Sequence, residues 1–411
     1  MRGYEGFRHC EEARCADEAI PKNFGDCLVR LRRTRNDNGL YLQRCLAMTD
    51  AFFDYGSLSD IRDKIEVGER LSFEDGLRLY QSNDLATLGL LASLVRERLN
   101  GSRVFYSVNL HLNHTNVCTA RCLFCAFARR PGEEGGYTFS TDEMQTRVRE
   151  AIEKWNINEV HIVGGHNPDL GIDYYVEMIQ KIREVSPAIY IKALTAAEIH
   201  DIATRSGMSW KEVLQTLKEA GLDGMPGGGA EIFAERVRRK LCPDKVTADE
   251  WLSIHRQAHE LGLRTNATML YGHIETVEER IDHVLRLRNV QDETHGFYSF
   301  IPLSYNAENT PMGKIGEPGG YTDLKVYAVS RLLFDNVPHL KAHWITTGLK
   351  MAQVALSFGV DDLGGTNLNE KIIHDAGSET PVDLSEDELC HLIREAGYEP
   401  TRVDSSYQLV S

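Results

Sequence analysis

The chain has 411 residues, with 46 Lys or Arg against 61 Asp or Glu and a formal charge of −15. That balance, without a sustained basic patch, argues against nucleic acid or an anionic membrane surface as partners. No run of eighteen apolar residues offers a membrane span, and an N-terminus carrying Glu11, Glu12, Arg14 and Asp17 lacks the apolar core of a secretory signal.

Residues 1–50 show no sustained periodicity and read as a poorly ordered extension, with Met48 as an alternative start. Cys10 and Cys15 in this polar tail read as incidental, and the scattered cysteines fit free thiols in a reducing cytoplasm. Helical spacing over 58–65 and 85–99, and a capping signature at Ser72-Phe-Glu-Asp75, predict an N-terminal helical cap over 51–104. The pattern then changes to short strands at 108–112, 159–163, 189–194, 222–225, 264–270, 297–301, 340–345 and 360–363. Helices lie between them, and Ser140-Thr-Asp-Glu143, Thr247-Ala-Asp-Glu250 and Thr276-Val-Glu-Glu279 are capping boxes. Eight strands alternating with helices predict an α/β fold, a (β/α)8 TIM-type barrel over 105–375. A doubly wound open sheet is the runner-up. A capped helix and a short arm follow over 376–411. In a barrel, function collects on the loops after the strands' C-terminal ends.

The first such loop carries Cys118, Cys122 and Cys125. Three thiolates within eight residues call for a shared metal partner. A structural zinc site would need a fourth ligand, for which His111 and His114 stand near in sequence. An iron–sulfur cluster usually takes four thiolates, so a three-cysteine site leaves one iron for a non-protein ligand. Further along, Gly227-Gly228-Gly229 is a costly run for a bare turn and suggests a ligand pressed against the backbone. Glu231 beside it is either a proton-transfer group or a helix-start carboxylate. His273 has a pKa suited to acid–base work, although a lone histidine is more often structural. His166, Asn167, Lys192, Thr195 and Glu198 follow the second and third strands as hydrogen-bonding groups or counter-charges for a polar, anionic substrate. Arg129 would pair with a substrate carboxylate or sit on the rim.

The CxxxCxxC spacing followed by aromatic Phe127 resembles the cluster motif of the radical S-adenosylmethionine (SAM) superfamily. That resemblance implies a 4Fe-4S cluster on Cys118, Cys122 and Cys125, with SAM on the free iron. It places Phe127, Gly164, Gly165, Thr268 and Tyr271 around SAM, the glycines giving the SAM amino group access to the backbone. The runs Asn109 to Phe127, His161-Ile-Val-Gly-Gly-His-Asn-Pro168, Lys192 to Ile199, Met225 to Phe233 and Arg264 to Thr276 are similar to the menaquinone (futalosine-pathway) branch. The likeness spans roughly residues 58 to 408. Within that branch it implies a transferase whose adenosyl radical adds to the vinyl carbon of 3-[(1-carboxyvinyl)oxy]benzoate, giving 6-amino-6-deoxyfutalosine. A one-electron donor such as flavodoxin or ferredoxin is implied as partner. Three alternatives stay open: the hydrogen-abstracting dehypoxanthine futalosine cyclase, a deazaflavin synthase subunit, and a non-enzymatic metal or electron-transfer protein.

Overall fold

Helix starts are written into short polar signatures, and the structure, a computed structural model that describes residues 55–313 and 318–410, uses them. The extension expected over 1–50 and Met48 lie outside the described residues. Helices α1 (Ser59–Val67), α2 (Phe73–Gln81) and α3 (Leu85–Asn100) come first. Ser72 and Asp75 close a reciprocal capping box at the start of α2. Such a cap contributes about 1 kcal/mol to helix stability.

Among the described residues ten strands follow: β1 (Arg103–Ser107), β2 (Asn109–Leu112), β3 (Glu159–Ile162), β4 (Tyr190–Ala193), β5 (Gly224–Met225), β6 (Arg264–Tyr271), β7 (Phe297–Ser304), β8 (His339–Leu340), β9 (Asp362–Gly365) and β10 (Glu399–Arg402). Strands β2 to β8 form one parallel sheet in chain order, while β1 lies between β10 and β9 in a second. Single bridges carry the curl onward, Lys341 to Asp362 and Leu110 to Leu368, so β9 occupies the eighth position. The fold is the expected α/β barrel, closed there by isolated bridges instead of a full ladder.

The first strand differs from expectation because the chain changes partner at Val108, whose N–H donates to Asn158 Oδ1 at 3.0 Å. The seventh is also shorter than 340–345. Beyond Leu340 the partner switches from β7 to β9, and the bond from Thr346 N–H to His343 O begins a helical turn.

The crossovers carry α4 (Thr141–Trp155), α5 (Ile172–Val185), α6 (Ala196–Ser206), α7 (Trp210–Ala220), α8 (Glu235–Leu241), α9 (Ala248–Glu260), α10 (Val277–Thr294) and α11 (Gly320–Leu333). Val160, Ile162, Ile191, Ala193, Ala267 and Met269 are wholly buried. They alternate with polar residues that face the barrel axis. Burying a Val, Ile or Met side chain in this way contributes roughly 1.5–3 kcal/mol.

The inward set is unusually charged. Glu159 pairs with Lys192 at 2.6 Å and Lys341 with Asp362 at 3.2 Å, all four buried. Helix α12 (Glu386–Glu395) leads to β10 and then to an arm over 403–410 that lies under the strands' N-terminal ends. There Ser405 Oγ donates to Glu159 and accepts from Lys192, and Tyr407 donates to Asp362 and stacks on His339 at 3.5 Å. Among the described residues no helix is long and apolar enough to cross a membrane.

Candidate active site

The cysteine loop sits where a barrel puts chemistry, at the C-terminal end of the first interior strand. It is held from several sides. Cys118 N–H donates to Arg129 O at 2.8 Å and Thr119 N–H to His166 O at 3.1 Å. His166 N–H points at Cys118 Sγ, 3.4 Å away.

Gly164 and Gly165, at the end of β3, make this approach possible. A Cβ on Gly164 would overlap the His114 ring; one on Gly165 would overlap Val117 O and come within 3.0 Å of Cys118 Cβ. The close neighbour these glycines admit is therefore the cysteine loop itself. Gly165→Ala is expected to displace the loop, lower stability by about 1–3 kcal/mol and cut iron loading at least by half. Iron per chain and Tm measure both, and an unchanged pair of values would contradict the packing argument.

A second brace escaped the sequence reading. The segment following α8 lies against the loop: Leu123 N–H donates to Leu241 O at 2.8 Å, and Asp244 accepts from Arg121 N–H and Nε at 3.0 Å each. Lys245 lies 5.2 Å from the Phe124 ring centre and makes a 2.9 Å ion pair with Glu231. Burial opposes the Lys245 charge, yet the Cys122 thiol, Glu231 and Cys242 hold its pKa well above the ordinary value. Burial pushes the Cys122 thiol up to about 12, with Lys245 opposing. A metal that takes the thiolate must displace that proton.

Glu231 is thus neither free for substrate nor a surface helix-start acid. It is buried, in the left-handed region at φ 46°, and serves Lys245. The only local signal for the brace is the Cys242-Pro-Asp-Lys245 turn after a short helix.

Several expected ligands are committed elsewhere. The ring of His273 is enclosed, with Glu275 Oε2 at 2.8 Å from Nδ1 and Leu270 O at 3.0 Å from Nε2, so neither nitrogen is free for acid–base work. Tyr271 donates to Asp323 at 2.7 Å. It lies three residues from Thr268, hence on the opposite, helix-facing side of β6. Thr268 does face inward and donates to Gly227 O at 2.5 Å.

The Gly227 to Gly229 run admits protein, not open space. Added Cβ atoms would meet Asn266 O at 2.7 Å, Thr195 Cγ2 at 2.8 Å and Ala197 Cβ at 3.1 Å. Thr195 and Glu198 form the capping box of α6, and Glu198 also accepts from Gly164 N–H at 3.0 Å. Burial raises the Glu198 pKa to about 7.

Asn167 bonds Thr115 and Thr138 at 3.2 and 2.9 Å. Arg129 Nη1 donates to Ala126 O and Ala128 O, stapling the loop. Lys192 is the buried partner of Glu159 at the opposite end of the barrel. His166 serves the cysteines through its backbone. Phe127 is buried beside them, edge-on to Tyr137.

The donor set fits a cluster better than zinc. Among the described residues no three Cys, His, Asp or Glu side chains stand close enough to hold one ion. A four-iron cluster does not require that, since each thiolate takes its own iron. Of the zinc-ligand candidates, His111 Nε2 contacts Asn367 Oδ1 at 3.0 Å. His114 packs edge-on to Tyr175, with both ring nitrogens unpartnered among the described residues but in no group of three ligating side chains.

Comparisons with known proteins agree with this geometry. The Radical SAM superfamily profile matches residues 112–287, and the CofH/MqnC C-terminal region matches 294–411. The chain is similar to the aminodeoxyfutalosine synthase of Thermus thermophilus, 49% identical over 86% of this chain and 96% of that one. It is 46% identical to that of Streptomyces coelicolor, over 87% and 95%. The crystal structure of methylornithine synthase superposes with a TM-score of 0.68 at 19% identity, over 84% of this chain and 98% of that one, a likeness of fold.

Proposed function

This chain belongs to the radical SAM superfamily, and from that premise we propose that it acts as an aminodeoxyfutalosine synthase. In this reaction the 5′-deoxyadenosyl radical from SAM adds to the vinyl carbon of 3-[(1-carboxyvinyl)oxy]benzoate. Rearrangement and loss of carbon dioxide then yield 6-amino-6-deoxyfutalosine for menaquinone biosynthesis. The observation that carries this reading is the 49% likeness to a synthase of that name along nearly its whole length.

Cys118, Cys122 and Cys125 would hold the 4Fe-4S cluster and leave one iron to SAM. When bound, the cluster supplies the single electron that cleaves the SAM sulfonium. The chain's own contribution is positioning and exclusion of water. The glycines at the end of β3 seat the loop, the 241–245 segment braces it, and Lys245 sets a cation behind Cys122. The arm over 403–410 lies at the other end of the barrel, where Ser405 and Tyr407 bond Glu159, Lys192 and Asp362. We propose a flavodoxin or ferredoxin as electron donor and a cytoplasmic location.

The test is the fate of the adenosyl group. Anaerobic incubation of reconstituted protein with SAM, reductant and the carboxyvinyl ether should give a product that retains adenosyl by mass spectrometry, one per SAM consumed. Stoichiometric 5′-deoxyadenosine in its place would transfer the assignment to the hydrogen-abstracting cyclase.

A further inference from the structure

Three imidazoles meet inside the barrel, and none of the chemistry above uses them. His111 on β2 and His161 on β3 stand opposite one another in the strand register. Their rings stack with centroids 4.5 Å apart and planes 11° from parallel. His343, three residues past the end of β8, lies within electrostatic reach of both.

His111 and His161 share one face of the sheet, and His161 and His343 are only half-buried, so each keeps some accessible surface. His343 Nδ1 is nevertheless a buried atom without a partner. Buried polar groups in a folded protein are normally paired, and one left open costs free energy unless a ligand or water completes it. Lys192 and Lys341 act on His161, but each is paired with a buried carboxylate, Glu159 at 2.6 Å and Asp362 at 3.2 Å. Glu370 acts on His111 and His343, so what the imidazoles offer a ligand is hydrogen bonding and not net charge. The stacked pair presents a flat face, which suits an aromatic ring.

We infer that His161 and His343 position the acidic aromatic substrate, their imidazole nitrogens hydrogen-bonding its carboxylate while the His111–His161 stack faces its ring. This rests on the function proposed above. It places the substrate between the cysteine loop at one end of the barrel and the arm over 403–410 at the other. Burial keeps the rings neutral, lowering His111 to about 4 and His343 to about 3, so they act as hydrogen-bonding groups and not as cations.

The experiment measures equilibrium binding of 3-[(1-carboxyvinyl)oxy]benzoate to anaerobic, cluster-loaded protein with SAM and no reductant, so that no chemistry intervenes. His161→Phe and His343→Phe keep a ring of similar size without its nitrogens. Each is expected to weaken binding at least tenfold and to raise KM more than it lowers kcat. The matching Gln variants retain an N–H donor and should recover most of that loss.

Phe variants of wild-type iron content that bind within twofold of wild type would overturn the inference, and so would Gln variants as weak as Phe. Where a Phe variant does not load iron, the Ala variant at that position is read against the same thresholds. Wild-type protein that neither binds nor consumes the ether would sink the function itself. Wild-type turnover with unaffected variants would sink only the role of the histidines.

Discussion

Replacing Cys118, Cys122 or Cys125 by alanine is expected to reduce iron content to background, remove the visible cluster absorbance and abolish product formation. Each thiolate is the sole protein ligand its iron would have, so losing one leaves two iron positions open instead of one. The folded chain should survive. The loop is held by backbone bonds to Arg129, His166 and Leu241, and the thiol side chains carry none of these.

Cys242→Ala is the informative contrast. That thiol is buried and close enough to Cys122 to affect its ionisation. A four-cysteine cluster would recruit it, whereas a SAM-binding cluster leaves it out, so Cys242→Ala should keep its iron. Full iron content in a Cys118, Cys122 or Cys125 variant, or iron loss in Cys242→Ala, would break the ligand assignment.

Acid is expected to unfold this protein at a pH where most enzymes of its size are stable. Burial lowers His111 and His166 to about 4, and His114, His259, His283 and His343 to about 3. In the unfolded chain each titrates near 6.5. Since these folded values lie below the unfolded one, only the unfolded state takes up protons as pH falls through 6.5. Stability is therefore complete above that value and declines beneath it.

At pH 5 each group costs up to about 2 kcal/mol, and the six together about 12 kcal/mol. Glu198, raised to about 7, and Asp323, raised to about 6, carry the opposite sign. They return roughly 4 kcal/mol at that pH. The remainder is comparable with the whole stability of a folded domain, about 5–15 kcal/mol.

His283 shows the reason at atomic level. Its Nδ1 accepts from Phe233 N–H at 3.2 Å while Nε2 reaches Thr268 O at 2.9 Å, so a second ring proton would face a donor. Thermal unfolding followed by circular dichroism should show Tm falling by on the order of 10 °C or more between pH 7.5 and 5.0. A flat Tm across that interval would mean the imidazoles are not buried as neutral groups.

What the sequence by itself determined is whatever depends on near neighbours. The cysteine spacing, the strand–helix alternation and the capping boxes at Ser140, Thr247 and Thr276 each lie within a few residues, and local geometry dictates them. Thr195 and Glu198 share that capping signature, yet as polar residues after a strand they read as substrate ligands, and the structure shows them capping a helix instead. Period-two alternation along β6 already separates Tyr271 from Thr268.

Only the tertiary structure decided which distant groups meet. Closing the barrel sets Leu241, Asp244 and Lys245 against the cysteine loop more than a hundred residues earlier. It lays Ser405 between Glu159 and Lys192, and brings His343 within reach of His111 and His161. Such contacts arise from strand register and curl, and a linear pattern carries no trace of them because no local preference of these residues depends on their eventual partners.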